Sequence, residues 1–436
     1  MLSDINRIVY LTVLLISFPL HAQHFSRLTL ESVVIVSRHG VRAPTKFTPL
    51  MQRVTPNKWP VWEVPYGWMT PRGGQLVSFM GRYQHLRLVN EGLFQEGKCP
   101  TKDEVSVLAD IDQRTRKTGE AFLSGFMPSC SLAIHDPPIF NKKAPLFNPI
   151  KAGVCHMDEG HVKLGVLMRA GGSLEHFTQK NQPAFSVLEN VLNFAHSDFC
   201  KNNPPGKSCT LINALPAGLQ VHRDNVSLSG APGLASMLTE IFLLQQAQGM
   251  SHVAWGKISS REEWDQLLSL HNAQFDLLQR MPYIARHRAT PLLDLILMAL
   301  TPGNKGKNVD GITLPASLLF IAGHDTNIAN IGGALGMKWQ LSGQPDNTPP
   351  GGELVFERWV RISDNTQWIK ISIVYQTLEQ MRNMSQLSLE NPPVQVDLAL
   401  PACEEQNEQQ MCSLKSVHKI IQSVRIPECS ICSKHH

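Results

Sequence analysis

The segment VVIVSRHGVRAPTK, residues 33–46, decides the fold of this 436-residue chain. Its first half belongs to LESVVIVS (30–37), a continuous apolar run that is typical of a parallel strand buried on both faces. Its second half is basic and contains Arg38, His39, Arg42 and Lys46. Because ligands of open α/β sheets bind outside the carboxyl ends of the strands, the segment predicts an anion site where this strand ends.

The residue types in RHGVR favour a phosphate as the anion. The guanidiniums of Arg38 and Arg42 can each form bidentate, charge-assisted hydrogen bonds with phosphate oxygens. The imidazole of His39 can attack phosphorus as a nucleophile. Gly40 is expected to let the backbone turn sharply and approach the ligand. The alternative is a solvated basic turn with an ordinary surface histidine, which RHGxRxP at the end of a buried strand disfavours.

A second buried strand, SLLFIA (317–322), ends in the segment AGHDTN. His324 and Asp325 therefore lie between a strand and the helical pattern TNIANIGGAL. A helix N-terminus carries unpaired N–H groups and favours a bound anion. Asp325 could instead be an ordinary N-cap. The two motifs together predict that both strand ends meet at one site.

A third buried strand, VSVLAD (105–110), precedes a helical segment. Asp110 and Arg114 follow this strand, and Arg114 would add a further guanidinium to the same pocket. From the residues alone, a position for Arg114 on the solvated face of the helix, in the charged run RTRK, is an equal alternative.

The middle of the chain has a different pattern, because nearly every periodic segment between about 171 and 301 is helical. The flanking parts read as α/β, with a hairpin of two strands, ELVFERWVRI and QWIKISIVYQ, near the C-terminus. The sequence thus predicts an α/β sheet domain with an inserted helical domain. The expected boundaries are a leader over 1–22, a discontinuous α/β domain over 23–155 and 281–432, and an α-helical domain over 156–280.

Local signals place several boundaries inside these domains. Ser260 and Glu263 form a capping-box pattern at the start of a helix that Pro282 is expected to end. Pro291 is expected at the first position of the following helix, after Thr290. The stretch PDNTPPGG (345–352) is rich in turn residues and predicts a surface loop.

Charge and hydropathy narrow the class of protein. Lys plus Arg is 40 and Asp plus Glu is 36, a nearly even mix that gives no support to nucleic-acid binding. The apolar run over 9–20 is too short to span a bilayer, and it predicts a signal peptide cleaved near Gln23. A buried N-terminal helix is the alternative. We therefore expect a periplasmic protein without a membrane-spanning segment.

Nine cysteines agree with an oxidising compartment. The spacing predicts two local disulfides, Cys200–Cys209 and Cys403–Cys412. Two further pairs, Cys99–Cys130 and Cys155–Cys429, are compatible with the sequence. Spacing alone does not fix this connectivity, and Cys432 would be left over.

Several longer stretches extend the two motifs. RHGVRAPT and AGHDTN are accompanied by DQRTRKTGEAF, LTEIFLLQQAQG, SLHNAQF and PDNTPPGGELVFERW. With these, essentially the whole mature chain resembles the histidine acid phosphatase family, in the branch that contains bacterial periplasmic phytases. The resemblance implies an α/β domain with a helical domain and the site between them. It also implies the four disulfides named above.

The resemblance also implies roles for single residues. His39 would be the nucleophile that forms a phosphohistidine, and Asp325 would protonate the leaving group. The residues expected to hold the phosphoryl oxygens are Arg38, Arg42, Arg114 and His324. The residues expected to line the substrate pocket are Thr45, Lys46, Met237 and Glu240. The family needs neither metal nor cofactor, and a monomer is expected.

The predicted function is hydrolysis of phytate, myo-inositol hexakisphosphate, to lower inositol phosphates and phosphate at acidic pH. A broad-specificity acid or sugar phosphatase acting on glucose 1-phosphate is the nearest alternative. A phosphate-transfer mutase also uses an RHG nucleophile, but the leader and Asp325 disfavour it. A non-catalytic periplasmic protein that binds phosphate esters is the alternative of another class.

Overall fold

The computed structural model describes residues 28–202, 208–309 and 311–430. The strands are β1 Leu28–Arg38, β2 Val105–Ala109, β3 Ile134–His135, β4 Gly218–His222, β5 Asn225–Ser229, β6 Asn308–Val309, β7 Ile312–Thr313, β8 Leu318–Gly323, β9 Glu353–Arg361, β10 Gln367–Tyr375, β11 Val394–Asp397 and β12 Cys412–Ser413. The α-helices are α1 Pro49–Arg53, α2 Pro71–Asn90, α3 Gln113–Phe126, α4 Pro149–Ala152, α5 Glu159–Arg169, α6 Leu174–Lys180, α7 Gln182–Leu192, α8 Leu211–Ala214, α9 Gly230–Ala247, α10 Arg261–Leu278, α11 Pro282–Leu300, α12 Asp325–Ala334, α13 Leu378–Asn383 and α14 Leu414–Val424.

The central sheet has the order β11-β10-β9-β1-β8-β2-β3, and β12 pairs with β10. Strands β1, β8, β2 and β3 are parallel, whereas β9 is antiparallel to β1 and forms the predicted hairpin with β10. The three strands predicted to be buried are therefore neighbours. Their carboxyl ends lie side by side, which is the arrangement that a site at this edge requires.

Helices cover both faces of the sheet. Val34 and Val36 of β1 pack on one face in a core formed with α11, α12 and α14. Val33 and Ile35 point to the other face and pack with α2 and α3. The apolar residues alternate between two buried faces, which explains why the sequence of β1 shows no polar alternation. The predicted α/β sheet is confirmed.

The middle of the chain forms a second packed region built on α7, α9 and α10. The capping box of Ser260 and Glu263 is present at the start of α10. The prediction of a helix start at Pro291 is wrong, because α11 begins at Pro282 and contains Pro291 in its interior. A short antiparallel hairpin, β4–β5, also lies in this otherwise helical region.

The 345–352 segment is not the exposed loop that its composition predicts. Asp346 is fully buried and Thr348 is 3% exposed, and Pro349 and Pro350 are buried as well. The prediction fails because turn-forming residues indicate where the chain changes direction. They do not indicate burial, which depends on the elements that pack against the turn. Here α10 and the end of β1 lie against the segment, through Asn272 and Arg38.

Four disulfides join the pairs Cys99–Cys130, Cys155–Cys429, Cys200–Cys209 and Cys403–Cys412. Within the described ranges, no helix combines the length and apolar character needed to cross a bilayer. The predicted signal peptide and Cys432 lie outside the described residues.

Candidate active site

Backbone hydrogen bonds hold the three strand ends in register. The N–H of His39 donates to the carbonyl of Gly323 at 2.9 Å, and the N–H of Asp110 donates to the carbonyl of Ala322 at 3.0 Å. The segments that follow β1, β2 and β8 therefore begin at the same level of the sheet. Residues that are far apart in sequence, such as His39 and His324, face each other with ring centroids 5.8 Å apart.

The His39 ring is buried, with 2% of its surface exposed. Its Nδ1 lies 2.9 Å from the carbonyl oxygen of Gly40. Because a carbonyl can only accept, Nδ1 carries the proton and Nε2 of the neutral ring keeps its lone pair. Burial and then the charges of Arg42, Arg114 and Arg38 hold the pKa of His39 well below its usual range. The ring thus stays neutral in acidic solution, and the lone pair of its Nε2 faces Arg42 Nε at 3.4 Å.

Arg38 is fully buried and uses both ends of its guanidinium. Its Nη1 donates to Asp346 Oδ2 at 2.7 Å and to the carbonyl of Thr348 at 2.5 Å. Its Nη2 contacts Glu240 Oε1 at 2.5 Å and Asp325 Oδ2 at 3.1 Å. One end of the guanidinium is therefore anchored, and the other faces the ionisable groups of the site.

Glu240, on α9, bridges two of the predicted phosphate-binding arginines. Its Oε1 accepts from Arg38 Nη2 and, at 2.8 Å, from Arg42 Nη2. Burial would raise the pKa of Glu240, but Arg42 and Arg38 outweigh burial and lower it. An ionised carboxylate thus occupies guanidinium donors that a phosphate could use. A bound phosphate must share or displace this contact.

His324 and Arg114 complete the cluster. His324 Nε2 lies 2.7 Å from Asp110 Oδ2, and His324 Nδ1 lies 3.4 Å from Arg114 Nη2. Arg114 also pairs with Asp112 at 2.6 Å. Asp110, Asp112 and His324 offer possible metal-ligand atoms within 4.8 Å of one another. Two of these atoms, Asp110 Oδ2 and His324 Nε2, are in hydrogen-bond contact with each other. This contact fixes the orientation of the imidazole.

Asp325 is the first residue of α12 and lies against Arg38. Burial would raise the pKa of Asp325, but Arg38 and then Arg42 outweigh burial and lower it to about 2. With these neighbours, Asp325 is therefore ionised above about pH 2. The prediction that Asp325 donates a proton requires that a bound substrate changes this balance.

The remaining predicted positions surround the cluster less closely. Thr45 and Lys46 are exposed after the end of β1, and in the described part of the chain no hydrogen bond joins their side chains to the cluster. Met237 is half-buried on α9, one turn before Glu240.

Gly40 does not adopt a left-handed conformation. A Cβ there would lie 2.8 Å from the carbonyl oxygen of Gly73, so this glycine lets α2 pack against the site.

Three further charged residues were not identified from the sequence. Asp346 lies in a segment whose composition predicted a surface loop. Lys151 and Arg288 line a cavity of about 90 Å³ that borders the cluster through Thr326 and Asn148. The spacing of Arg288 within α11 is that of an ordinary helical residue, so no local signal marked it.

The chain is similar to known proteins over most of its length. The model of the histidine phosphatase superfamily (branch 2) matches residues 29–374. A phytase of Escherichia coli (strain K12) is 58% identical over 411 residues, which cover 94% of this chain and 95% of that protein. A glucose-1-phosphatase of Salmonella typhimurium is 33% identical over 380 residues, 86% of this chain and 87% of that protein. The structure of a Citrobacter braakii phytase has a TM-score of 0.91 at 59% identity, covering 93% of this chain and 99% of that chain. With a buried neutral imidazole among three arginines at the ends of parallel strands, the chain belongs to the histidine phosphatase superfamily, branch 2.

Proposed function

We propose that this protein is a phytase, which hydrolyses myo-inositol hexakisphosphate to lower inositol phosphates and phosphate at acidic pH. The observation that carries the proposal is the state of His39. A buried, neutral imidazole whose Nδ1 donates to Gly40 presents Nε2 beside Arg42, at 3.4 Å from its Nε. Such a nitrogen is a nucleophile next to a ready-made binding site for phosphoryl oxygens.

In the first step, Nε2 of His39 attacks phosphorus. The N–P bond forms as the bond from phosphorus to the ester oxygen breaks. The electron pair of the broken bond goes to the leaving oxygen, which takes the proton of Asp325. The guanidiniums of Arg38, Arg42 and Arg114 neutralise charge on the transferring phosphoryl group. An inositol alkoxide is a poor leaving group unless it is protonated as it departs, so the acid is needed.

Substrate binding itself would supply the protonated form of Asp325. Arg38 and Arg42 lower the pKa of Asp325. A bound phosphate dianion offsets those positive charges and places negative charge near the carboxylate. Both effects raise the pKa of Asp325. The carboxyl can then carry a proton at mildly acidic pH, where free Asp325 is ionised.

In the second step, water attacks the phosphohistidine. The carboxylate of Asp325 takes a proton from the water as the new O–P bond forms. The N–P bond breaks, and its electron pair returns to Nε2 of His39. Phosphate leaves, and the ring is again neutral with its proton on Nδ1. Every proton in this cycle is handled by Asp325 and the reactants.

A substrate with several phosphates is favoured by the cavity that borders the cluster. Exposed Lys151 and half-buried Arg288 both line it, and neither pairs with a carboxylate in the described ranges, although Asp224 also lines it. Burial lowers the pKa of Arg288 to about 10. Two cations without ion pairs would attract a second phosphate of the same molecule. The higher identity to a phytase than to a glucose-1-phosphatase, 58% against 33%, supports the same substrate.

We also propose that the protein works outside the cytoplasm, in the periplasm, as a monomer. Four disulfides support this compartment, because such bonds persist where the environment is oxidising. The predicted leader over 1–22 would direct the export.

The experiment that tests the proposed reaction is an acid-quench trap with phosphate-labelled phytate. We expect a labelled phosphohistidine in the parent protein and none in His39→Ala, with turnover reduced by at least about 10³-fold. His196→Ala, an exposed histidine on the surface, is the matched control and should keep both signals. Phosphate release from phytate and from glucose 1-phosphate would be compared in parallel. Turnover of glucose 1-phosphate alone would assign a sugar phosphatase, and phosphate binding without turnover would assign a non-catalytic binding protein.

A further inference from the structure

Asp346 is a buried carboxylate that the steps above do not use. It is fully buried, and its two oxygens have different partners. Oδ2 accepts from Arg38 Nη1 at 2.7 Å, whereas Oδ1 accepts from the backbone N–H of Thr348 at 2.8 Å. The carboxylate is therefore fixed in position by its own segment, and it presents one oxygen to the arginine.

The 345–352 segment holds Arg38 through its main chain as well as its side chain. The N–H of Arg38 donates to the carbonyl of Gly352 at 2.9 Å, and the N–H of Gly351 donates to the carbonyl of His39 at 3.1 Å. The carbonyl of Thr348 accepts from Arg38 Nη1. Only Nη2 of the guanidinium is directed toward the ionisable groups of the site. A shift of this segment would move Arg38 and the nucleophile together.

The segment is in turn attached to the helical region by Asn272 of α10. Asn272 Nδ2 donates to the carbonyl of Pro345 at 2.8 Å, and its Oδ1 accepts from the N–H of Asn347 at 3.1 Å. Trp339 Nε1 donates to the carbonyl of Asn347 at 2.8 Å. Both residues that flank Asp346 are thus hydrogen-bonded to side chains outside the segment.

We propose that Asp346 and Asn272 are positioning residues for the reaction: Asp346 anchors Arg38 and sets the net charge of the phosphate site, and Asn272 fixes the segment that carries Asp346. The proposal rests on the proposed function for its activity measurements. It adds two residues that do not touch the reacting atoms and act through Arg38.

The sign of the charge effect follows from the groups around the site. The charged and titratable groups that face His39 and Asp325 are Arg38 and Arg42 after β1, Arg114 of α3, Glu240 of α9, His271 of α10, and His324 before α12. Removing the negative charge of Asp346 leaves this set more positive. A more positive site makes His39 harder to protonate and Asp325 easier to ionise. Both limbs of the pH–rate profile should therefore move toward lower pH.

The first test is Asp346→Asn, in which the amide oxygen can still accept from Arg38 Nη1, while the negative charge and the acceptor for the Thr348 N–H are lost. We expect both limbs of the kcat profile for phytate, which reports the substrate complex, to shift to lower pH by about one unit. We expect inorganic phosphate, measured by calorimetry at one pH, to bind several-fold more tightly. Asp276→Asn is the matched control, since Asp276 pairs with Arg169 at 2.5 Å on the exposed side of α10. It should leave both readouts unchanged.

The second test is Asn272→Ala, which keeps the charge of Asp346 and loosens its segment. We expect kcat/KM for phytate to fall about tenfold, mainly through kcat, with the limbs of the pH profile unmoved. Asn181→Ala is the control, because Asn181 Nδ2 also donates to a backbone carbonyl, that of Phe177 at 2.8 Å. Its kcat/KM should equal that of the parent.

The outcomes separate this inference from the proposed function. A parent protein that does not release phosphate from phytate would refute the proposed function, and the phosphate affinities of Asp346→Asn would still decide the role of Asp346. A folded Asp346→Asn with the parent's pH profile and phosphate affinity would overturn the inference. If Asp346→Asn does not fold, unchanged kcat/KM in Asn272→Ala would overturn it.

Discussion

At the scale of single residues, the proposed reaction places two opposite requirements on Asp325. Its contact with Arg38 at 3.1 Å stabilises the carboxylate, whereas a proton donor must be neutral when the ester bond breaks. The requirement is met when the positive charges that surround it are neutralised by the substrate. In the proposed reaction, the site would therefore couple the presence of a phosphate to the availability of an acid.

This coupling predicts that Asp325→Asn will be selective for poor leaving groups. With phytate we expect kcat to fall by about 10² to 10⁴-fold, since the inositol alkoxide must be protonated. With p-nitrophenyl phosphate the loss should be much smaller, because nitrophenolate leaves without a proton. Asp364→Asn, at an exposed turn, is the control. Equal losses on the two substrates would show that Asp325 acts on some step other than leaving-group protonation.

The local sequence identifies the site residues that directly follow a strand. It does not identify the residues that reach the site from other segments. Arg38, His39 and Asp325 could be predicted because each lies directly at a strand end, where the motif and the strand are read together. Asp346 could not, because its importance comes from burial beneath α10. Arg288 could not either, because a helical arginine has the same spacing whether it faces solvent or a cavity.

At the scale of elements, β9 combines a structural and an electrostatic role. Its first residue, Glu353, is paired in the sheet with Ser37, one position before Arg38. Glu353 is 1% exposed, and Gln84 Nε2 of α2 donates to its Oε2 at 2.6 Å. Burial raises the pKa of Glu353 to about 8. The carboxyl is thus neutral in the folded protein at the acidic pH proposed for the reaction.

The raised pKa predicts a pH-dependent stability. Glu353 binds a proton in the folded state up to about pH 8, but loses it near pH 4.5 when unfolded. Its contribution is therefore complete below pH 4.5 and is lost as the pH rises to 8, by an amount on the order of a few kcal/mol. In Glu353→Gln, the free energy of unfolding should fall less than in the parent between pH 4.5 and pH 8. Chemical denaturation at both pH values measures this, and an identical fall in both proteins would contradict it.

Elements were predictable where a signal is local and self-contained. The capping box at Ser260 fixes the start of α10, because both of its hydrogen bonds lie within four residues. The helix start predicted at Pro291 is wrong, because a proline is compatible with the interior of a helix when surrounding packing compensates for the missing N–H. Strands β4 and β5 are half-buried and five residues long each, so their alternation was too short to compete with the helical pattern around them.

At the scale of the whole molecule, the disulfide Cys155–Cys429 closes a loop with a sequence separation of 274, against 9 for Cys200–Cys209. Loop-closure entropy gives stabilisations of about 6 and about 3 kcal/mol for loops of these lengths. Replacing both cysteines of the long-range pair by serine should therefore lower the free energy of unfolding more than the same change in the short-range pair. Urea denaturation of the two double variants measures the difference. Equal losses would indicate that strain or residual structure in the unfolded chain outweighs loop length.

The overall architecture was predictable because strand type, strand ends and family resemblance agreed. The continuous apolar character of β1, β2 and β8 indicated a parallel sheet before any neighbour was known. What the residues alone did not provide was the order of the strands, because pairing is decided by contacts between distant segments. The division into an α/β domain over 23–155 and 281–432 and a helical domain over 156–280 stays a prediction.

The position of β1 in the sheet has a consequence for biogenesis. A chain made from its N-terminus produces β1 first, yet the strands that flank it, β8 and β9, come from the last third of the polypeptide. Until Leu318 has been synthesised, β1, one of the most apolar strands of the protein, has no partner strand at either edge. Exposed strands of this kind associate with one another. Until β8 and β9 have been made, the nascent polypeptide is therefore expected to be prone to association through β1.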